Sequence, residues 1–427
     1  MTLRPANILK SSLFRDSATL VSGNIIAQAI SLLAYLLLTR IYSPSDYALF
    51  NIFYSYIEVL IILSTCKYEL AIVVGDNEQE STSIARFAMR VNTRVSLALL
   101  TLVAVLYLTG SLPGSFSQLG ILSLLIPPMV FFSGTSRVYA ALFNRVRHYR
   151  EIAASDMANS ASGALLKVLF GLAGMFRSGM PLGTVLGQAL ANLVYRFRIQ
   201  RLHLPRVTRQ QRLDAARRHR NFPLYVAPKD LVNSISTNLP FLWLALYFNQ
   251  AEVGLFALAL TFTFRPVNIL NNAFDRVLYA RCAELVRERM SIAHIIRRFL
   301  LLANLIALPV GILVWFTAEP IFTFFFSGKW SGCGIYVQAM LPWFFLLLSS
   351  GSLMFISNIF ATQRVEFYVN LLLLALRASA IGIGIALGSF LLAIQLFSAV
   401  SFLVAAGLLI WYLVQVRRYQ RSITLSA

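Results

Sequence analysis

Apolar residues arrive along this chain in twelve blocks of 17 to 29 residues, separated by polar segments. An α-helix needs about 20 apolar residues to cross a hydrocarbon layer ~30 Å thick. The strands of a β-barrel would alternate in polarity and be about half as long. We therefore predict an all-α integral membrane protein with about twelve transmembrane helices. The predicted spans are residues 17–39, 47–66, 94–110, 119–143, 152–176, 180–197, 222–247, 253–275, 298–326, 335–361, 365–388 and 390–414.

The composition supports a membrane protein and argues against a nucleic-acid-binding protein. Of 427 residues, 58% are hydrophobic and 13% are charged. The charged share of soluble proteins is about 25%. The net charge is +20, but the basic residues lie in short loops between apolar blocks and not on a soluble domain. In that position they act as topology signals, so we expect no nucleic-acid partner.

The basic residues divide between alternate loops. One side of the predicted membrane receives 29 of the 37 lysines and arginines, and the other receives only Arg40, Arg177 and Lys329. Because cytoplasmic loops carry the excess of positive charge, both termini are predicted to be cytoplasmic. The segment 196–220 alone contains nine arginines. It is predicted to be a cytoplasmic linker, with anionic lipid binding as an alternative role.

The two halves of the chain resemble each other. DYALF (46–50) opens the second span and EVGLF (252–256) opens the eighth, 206 residues later. An even number of spans separates the copies, which predicts a parallel repeat. We predict an N-terminal six-helix lobe over 1–198, a basic linker over 199–221, and a C-terminal six-helix lobe with a short tail over 222–427.

Five basic residues lie inside apolar blocks, where a charge costs a few kcal/mol. They are Arg137, Lys167, Lys229, Arg265 and Arg377. Lys167 follows the start of its block by 15 residues, which is ~22 Å along a helix. The one carboxylate identified at comparable depth is Glu58, which cannot neutralise all of them. A water-filled, electropositive cavity for an anionic cargo explains these cations best. For Arg137 and Lys229, snorkelling or pairing with acids remains open.

Polar and small side chains line up on the predicted helices. Around Lys167 they are Ser160, Gly163, Gly171 and Gly174, on one helical face. Such stripes either line a cavity or mediate close helix packing and interhelical hydrogen bonds. The candidate substrate-binding residues are Lys167, Arg265, Arg377, Arg137, Lys229, Arg40, Asn24 and Gln28. Glu58 is a candidate for ion coupling, with a structural ion pair as the alternative.

No catalytic or metal-binding motif stands out. Three cysteines have no paired spacing, and the four histidines lie in or beside basic loops without ligand spacing. No non-cytoplasmic loop exceeds roughly 15 residues, which leaves little room for an active site. We expect a protein that is not an enzyme and that uses neither cofactor nor metal.

The segment LTRIYSPSDYALF (38–50) resembles a known family. The segment contains an arginine, an aromatic residue, a proline and an acid, followed by an aromatic start to the next helix. This pattern resembles that of the polysaccharide branch of the multidrug/oligosaccharidyl-lipid/polysaccharide (MOP) superfamily, especially the O-antigen flippase (Wzx) type. Ala48 replaces the usual glycine. KYELAIVV (67–74), NFPLYVAP (221–228) and EVGLFALAL (252–260) resemble further family segments.

The resemblance implies two six-helix lobes around a central cavity that opens alternately to each leaflet. It also implies a bacterial inner-membrane flippase that moves a polyprenyl-pyrophosphate-linked oligosaccharide, such as an O-antigen repeat unit of lipopolysaccharide. The expected partners are that lipid-linked oligosaccharide, membrane lipids, and a polysaccharide polymerase and chain-length regulator. The alternatives are a multidrug exporter of the same superfamily and a polymerase or ligase-type membrane enzyme.

Overall fold

The computed structural model describes residues 33–200, 204–360 and 362–426, together with Ile30 and Leu202. Throughout these residues the regular structure is helical and contains no strand, which confirms the all-α membrane fold class. Residues 33–41 form the described end of the first helix, α1. The helices that follow are α2 (Pro44–Thr65), α3 (Tyr68–Val74), α4 (Glu78–Leu108), α5 (Ile126–Arg145), α6 (Tyr149–Leu172), α7 (Phe176–Ile199), α8 (Arg209–Arg218), α9 (Ala227–Tyr247), α10 (Gln250–Arg287), α11 (Ala293–Phe326), α12 (Cys333–Gly351), α13 (Phe355–Ile359), α14 (Gln363–Ala386) and α15 (Phe390–Ser426).

Local side-chain hydrogen bonds and backbone angles determine where α2 begins and ends. The Ser43 hydroxyl accepts from the backbone amide of Asp46, and the Asp46 carboxylate accepts from the amide and hydroxyl of Ser43. This capping box, with Pro44 at the first helical position, starts α2. The α2 helix ends where Cys66 and Lys67 take left-handed backbone angles. The family-like segment 38–50 therefore specifies the turn between α1 and α2.

The helix α4 is longer than its predicted span. It has 31 residues and begins at Glu78, where the Asn77 side chain accepts from the amide of Glu80. At ~1.5 Å per residue it is ~46 Å long, so it extends well beyond a hydrocarbon layer of ~30 Å. The predicted span 94–110 matches only its apolar second half.

Three predicted spans are helices of full length but low hydropathy. Within the described residues, eight helical segments are long and apolar enough to cross a membrane, and α6, α7 and α9 are not among them. Those three helices are 24, 24 and 21 residues long, which is sufficient to span. They carry charged, amide and glycine residues, among them Lys167 on α6, Gln188 on α7 and Lys229 on α9. Most of the first predicted span, 17–39, lies outside the described residues.

The chain divides into two compact units, Met1–Ser234 and Ile235–Ala427. The division falls inside α9. The basic segment 199–221 contains α8, and α8 packs on the first unit. The Tyr68 hydroxyl donates to the backbone carbonyl of Ala216 at 3.2 Å, and Arg218 pairs with Glu80 at 2.9 Å.

Candidate functional site

A polar cavity of about 300 Å³ lies within the first unit. Its walls come from four helices, α2, α5, α6 and α7. The polar residues of its lining are Tyr54, Glu58, Ser133, Ser136, Arg137, Ser155, Asp156, Asn159, Gln188 and Tyr195. We call it the first-unit cavity. It brings together two residues predicted from the sequence, Glu58 and Arg137.

Three charged side chains share this cavity. Glu58 comes from α2, Arg137 from α5 and Asp156 from α6. Arg137 forms a long ion pair with Glu69, 3.8 Å between Nη1 and Oε1, and Glu69 also accepts from the Thr65 hydroxyl. Asp156 forms no hydrogen bond or ion pair with another described residue. Its carboxylate is therefore available to a proton, a cation or water in the cavity.

The amides and hydroxyls of the wall form a continuous hydrogen-bond chain. Asn159 donates to Gln188 at 3.1 Å, and Gln188 donates to Ser136 at 2.7 Å. Ser136 donates to the side-chain oxygen of Asn192 at 3.1 Å, and Asn192 donates to the backbone carbonyl of Phe132 at 2.8 Å. These bonds tie α5, α6 and α7 together. Asn159, Gln188 and Ser136 therefore both line the cavity and hold its helices together.

Glycines hold α6 and α7 in backbone contact. A Cβ atom on Gly187 would lie 2.7 Å from the Cα of Gly163, and one on Gly183 would lie 2.8 Å from the backbone nitrogen of Lys167. No larger residue fits at either position without a shift. The predicted small-residue stripe on α6 is therefore a packing surface at Gly163.

Lys167 lies at this helix contact and not in the first-unit cavity. Its ammonium sits 5.0 Å from the ring centroid of Phe50, a cation–π contact. Its side chain is partly buried, and its backbone carbonyl accepts from the hydroxyl of Tyr42 at 2.7 Å. The aromatic face that it contacts belongs to the family-like segment. Its predicted contact with cargo stays a prediction.

The other predicted cations occupy different environments. Arg40 and Arg265 are exposed on the surface of their units, whereas Lys229 is partly buried. The neighbour of Lys229, Asp230, pairs with Lys67 at 2.7 Å between Nζ and Oδ2. Asn24 and Gln28 lie outside the described residues.

Arg377 is held inside the second unit by its neighbours. It is 4% exposed and donates to the hydroxyls of Ser401 at 2.9 Å and Ser236 at 3.1 Å. Its guanidinium also stacks on Phe397 and Trp343, 4.5 and 5.1 Å from the ring centroids. This environment joins α9, α12, α14 and α15. These contacts hold the cation without a water-filled cavity, and the predicted contact of Arg377 with cargo stays a prediction.

Sequence reasoning missed Asp156. The prediction from the sequence names Glu58 alone among carboxylates, whereas Glu58 and Asp156 both line the first-unit cavity. A signal was present in the sequence, since Asp156 precedes Lys167 by 11 residues, three helical turns, and so shares the face of its stripe. Across the described part of the chain, no cluster of acidic, histidine and cysteine side chains suits a metal ion.

Comparison with known proteins identifies the family. A model of the polysaccharide biosynthesis protein family matches residues 37–334, well over half of the chain. The chain belongs to this family. No curated protein matches the sequence.

Several solved structures share the fold of this polysaccharide biosynthesis family member. The lipid II flippase MurJ in an inward closed conformation matches with a TM-score of 0.73 and 12% identity, covering 95% of this chain and 91% of MurJ. An inward-facing multidrug resistance MATE family transporter of the MOP superfamily matches with a TM-score of 0.69 and 14% identity, covering 93% and 99%. A MOP superfamily transporter from Pyrococcus furiosus, described as having a binding pocket of reversed polarity, matches with a TM-score of 0.67 and 11% identity, covering 98% and 99%. At these identities the likeness shows a shared fold, that of MOP superfamily transporters.

Proposed function

We propose that the protein is a flippase for polyprenyl-pyrophosphate-linked oligosaccharide, such as an O-antigen or related repeat unit. It would move this cargo from the cytoplasmic to the periplasmic leaflet of a bacterial inner membrane by alternating access. The observation that carries the proposal is a MOP transporter fold in a chain of the polysaccharide biosynthesis family. Family and fold together favour a transporter over an enzyme.

The charges of the chain support an anionic cargo. Arginine can form paired hydrogen bonds with phosphate oxygens, and lysine acts as a compact point charge. We propose Lys167, Arg265 and Arg40 as cargo contacts, with Arg137 and Lys229 nearer the cytoplasmic surface. Asn24 and Gln28, in the predicted first span but outside the described residues, belong to the same proposal. The polar wall of the first-unit cavity offers donors and acceptors that suit a hydroxyl-rich glycan.

We further propose that Glu58 and Asp156 couple transport to an ion. Both carboxylates line the first-unit cavity, so one proton or monovalent cation would bind to a carboxylate on the cavity wall. Arg137 lines the same cavity, so a positive charge lies among the residues that would surround the bound ion. We also propose that the flippase works with a polysaccharide polymerase and a chain-length regulator. Its predicted organisation is two six-helix lobes, 1–198 and 222–427, joined by the linker 199–221.

The decisive experiment is reconstitution of the purified full-length protein in vesicles. Lipid-linked oligosaccharide with a fluorescent sugar is placed in the membrane, and a membrane-impermeant quencher reports the accessible fraction. We expect the protein to expose cargo from the protected leaflet, and the oligosaccharide mass to stay unchanged. Movement equal to that in protein-free vesicles would contradict the flippase, and a longer glycan would show a polymerase.

A further inference from the structure

A second cavity, of about 660 Å³, lies within the second unit between α11 and α15. Its apolar wall on α11 includes Leu301, Leu305 and Leu308, which share one helical face. All three are more than half exposed. On α15 the wall includes Leu413 and Val416. We call this cavity the α11–α15 groove.

Two arginines line the same groove. Arg297 lies in the second turn of α11, and Arg417 lies one turn after Leu413 on α15. Both are exposed, and neither forms a hydrogen bond or ion pair with another described residue. Beside an apolar wall there are thus two positive charges that have no counter-charge among the described residues.

The dimensions of the groove match one leaflet. Arg297 and Leu308 are 11 residues apart, which is ~16 Å along a helix, close to half of a ~30 Å hydrocarbon layer. Both arginines belong to segments that the charge distribution predicts to be cytoplasmic. Beyond Leu308 the groove meets an apolar cavity of about 420 Å³, which also has Leu308 in its wall and extends to Trp315.

We propose that the α11–α15 groove binds an anionic phospholipid of the cytoplasmic leaflet. The phosphate would lie between Arg297 and Arg417, and one acyl chain would lie along Leu301, Leu305 and Leu308. Arginine suits this role because its guanidinium forms paired hydrogen bonds with phosphate oxygens. Binding at this groove is independent of the proposed transport activity. It gives the protein a preference for anionic over zwitterionic lipid.

The test is lipid retention by the purified full-length protein. The protein is delipidated in detergent, titrated with phosphatidylglycerol or phosphatidylcholine, and analysed by native mass spectrometry. We expect selective retention of phosphatidylglycerol by the unmodified protein. The double variant Arg297→Gln with Arg417→Gln should bind phosphatidylglycerol about tenfold more weakly, because each arginine near an anionic headgroup contributes a few-fold in affinity.

The matched control changes the adjacent arginines. Arg298→Gln with Arg418→Gln removes the same charge from the same helices, but neither residue lines the groove. We expect this pair to retain phosphatidylglycerol within about twofold of the unmodified protein. Equal loss of phosphatidylglycerol retention in both double variants would overturn the proposal in favour of general surface charge. Equal retention of phosphatidylglycerol and phosphatidylcholine by the unmodified protein would also overturn it.

A second variant tests the acyl-chain wall with both arginines in place. Leu305→Trp should fill the groove and reduce phosphatidylglycerol retention, whereas Leu302→Trp, exposed on the same helix but not in the wall, should not. Excess glycerol phosphate should fail to displace the lipid. Displacement of the lipid by glycerol phosphate would overturn the lipid assignment in favour of a soluble phosphate ester. Unchanged phosphatidylglycerol retention by Leu305→Trp would overturn it as well.

Discussion

The hydroxyl of Tyr42 donates a 2.7 Å hydrogen bond to the backbone carbonyl of Lys167, 125 positions later in the chain. The Tyr42 ring is fully buried, and its niche exists because α6 and α7 have glycines there, Gly171 and Gly179. A Cβ atom on Gly179 would collide with the Tyr42 hydroxyl, and one on Gly171 would lie 3.0 Å from the Tyr42 ring and 2.6 Å from a methyl group of Ile41. An aromatic residue of the family-like segment therefore fixes the backbone position of Lys167 in α6.

Removal of that hydroxyl should loosen the first unit. We expect Tyr42→Phe to lower stability by about 1 kcal/mol, the usual net value of one hydrogen bond. Thermal unfolding of the purified protein in detergent measures the change. Tyr225→Phe is the comparison, because Tyr225 is 70% exposed and surface substitutions usually change stability by less than about 0.5 kcal/mol. A larger loss of stability in Tyr225→Phe than in Tyr42→Phe would contradict the assigned role.

The charge of Lys167 should matter more than its bulk. If it contacts an anionic headgroup, Lys167→Met should reduce export at least tenfold while membrane abundance stays near normal, since removing a deep charge does not hinder insertion. Lys167→Arg should keep much of the activity because the positive charge remains. Complementation of a flippase-deficient strain, with an immunoblot of the membrane fraction, measures both quantities. Full export by Lys167→Met would show that the lysine does not bind cargo.

The two carboxylates of the first-unit cavity should affect coupling. We expect Asp156→Asn and Glu58→Gln each to reduce gradient-driven transport about tenfold or more, and to leave slow equilibration between leaflets measurable, because an amide cannot take up a proton. Vesicles with and without an imposed ion gradient separate the two rates. Asp214→Asn on α8 is the control, since its exposed carboxylate only accepts from Gln210. Full gradient response in both cavity variants would remove them from the coupling mechanism.

The glycine contact between α6 and α7 should be sensitive to a single methyl group. We expect Gly187→Ala to destabilise the protein by about 1–3 kcal/mol, because the added Cβ would lie 2.7 Å from the Cα of Gly163. Gly407→Ala on α15 is the matched control, with open space around its Cβ position. There alanine should stabilise the helix by roughly 0.5–1 kcal/mol. Thermal unfolding should therefore shift in opposite directions, and a shared direction would contradict the packing argument.

Arg377 should prove to be structural. Its partners are the hydroxyls of Ser236 and Ser401 and two aromatic rings of the same unit. Removing one member of a buried polar cluster acts mainly on folding, so Arg377→Met should lower the amount of folded protein but retain transport per folded molecule within about threefold. Transport normalised to membrane abundance is the measurement. Loss of transport at normal abundance would restore the sequence-based assignment of Arg377 to the cargo.

The helical spans could be predicted from the sequence because blocks of about 20 apolar residues have one stable form in a membrane. The side-chain environments of the deep polar residues could not be predicted from the sequence. Arg377 meets Ser236, 141 positions away, and Lys167 meets Phe50 in a different helix. Hydropathy assigns depth but not helix neighbours, so a buried arginine and a cavity-lining arginine look alike in sequence. Asp156 was predictable from helical spacing alone, because it shares the face of the stripe around Lys167.

The low hydropathy of α6 has a consequence for biogenesis. With Arg150, Glu151, Asp156 and Lys167 in its 24 residues, this helix would partition poorly from the insertion machinery into lipid by itself. Its glycine contact with α7 and the tight turn at Gly174 hold the two helices together as a hairpin. A nascent chain that ends before α7 would leave α6 without the surface that shields its polar face. We therefore expect stable insertion of α6 only after synthesis has reached about residue 199.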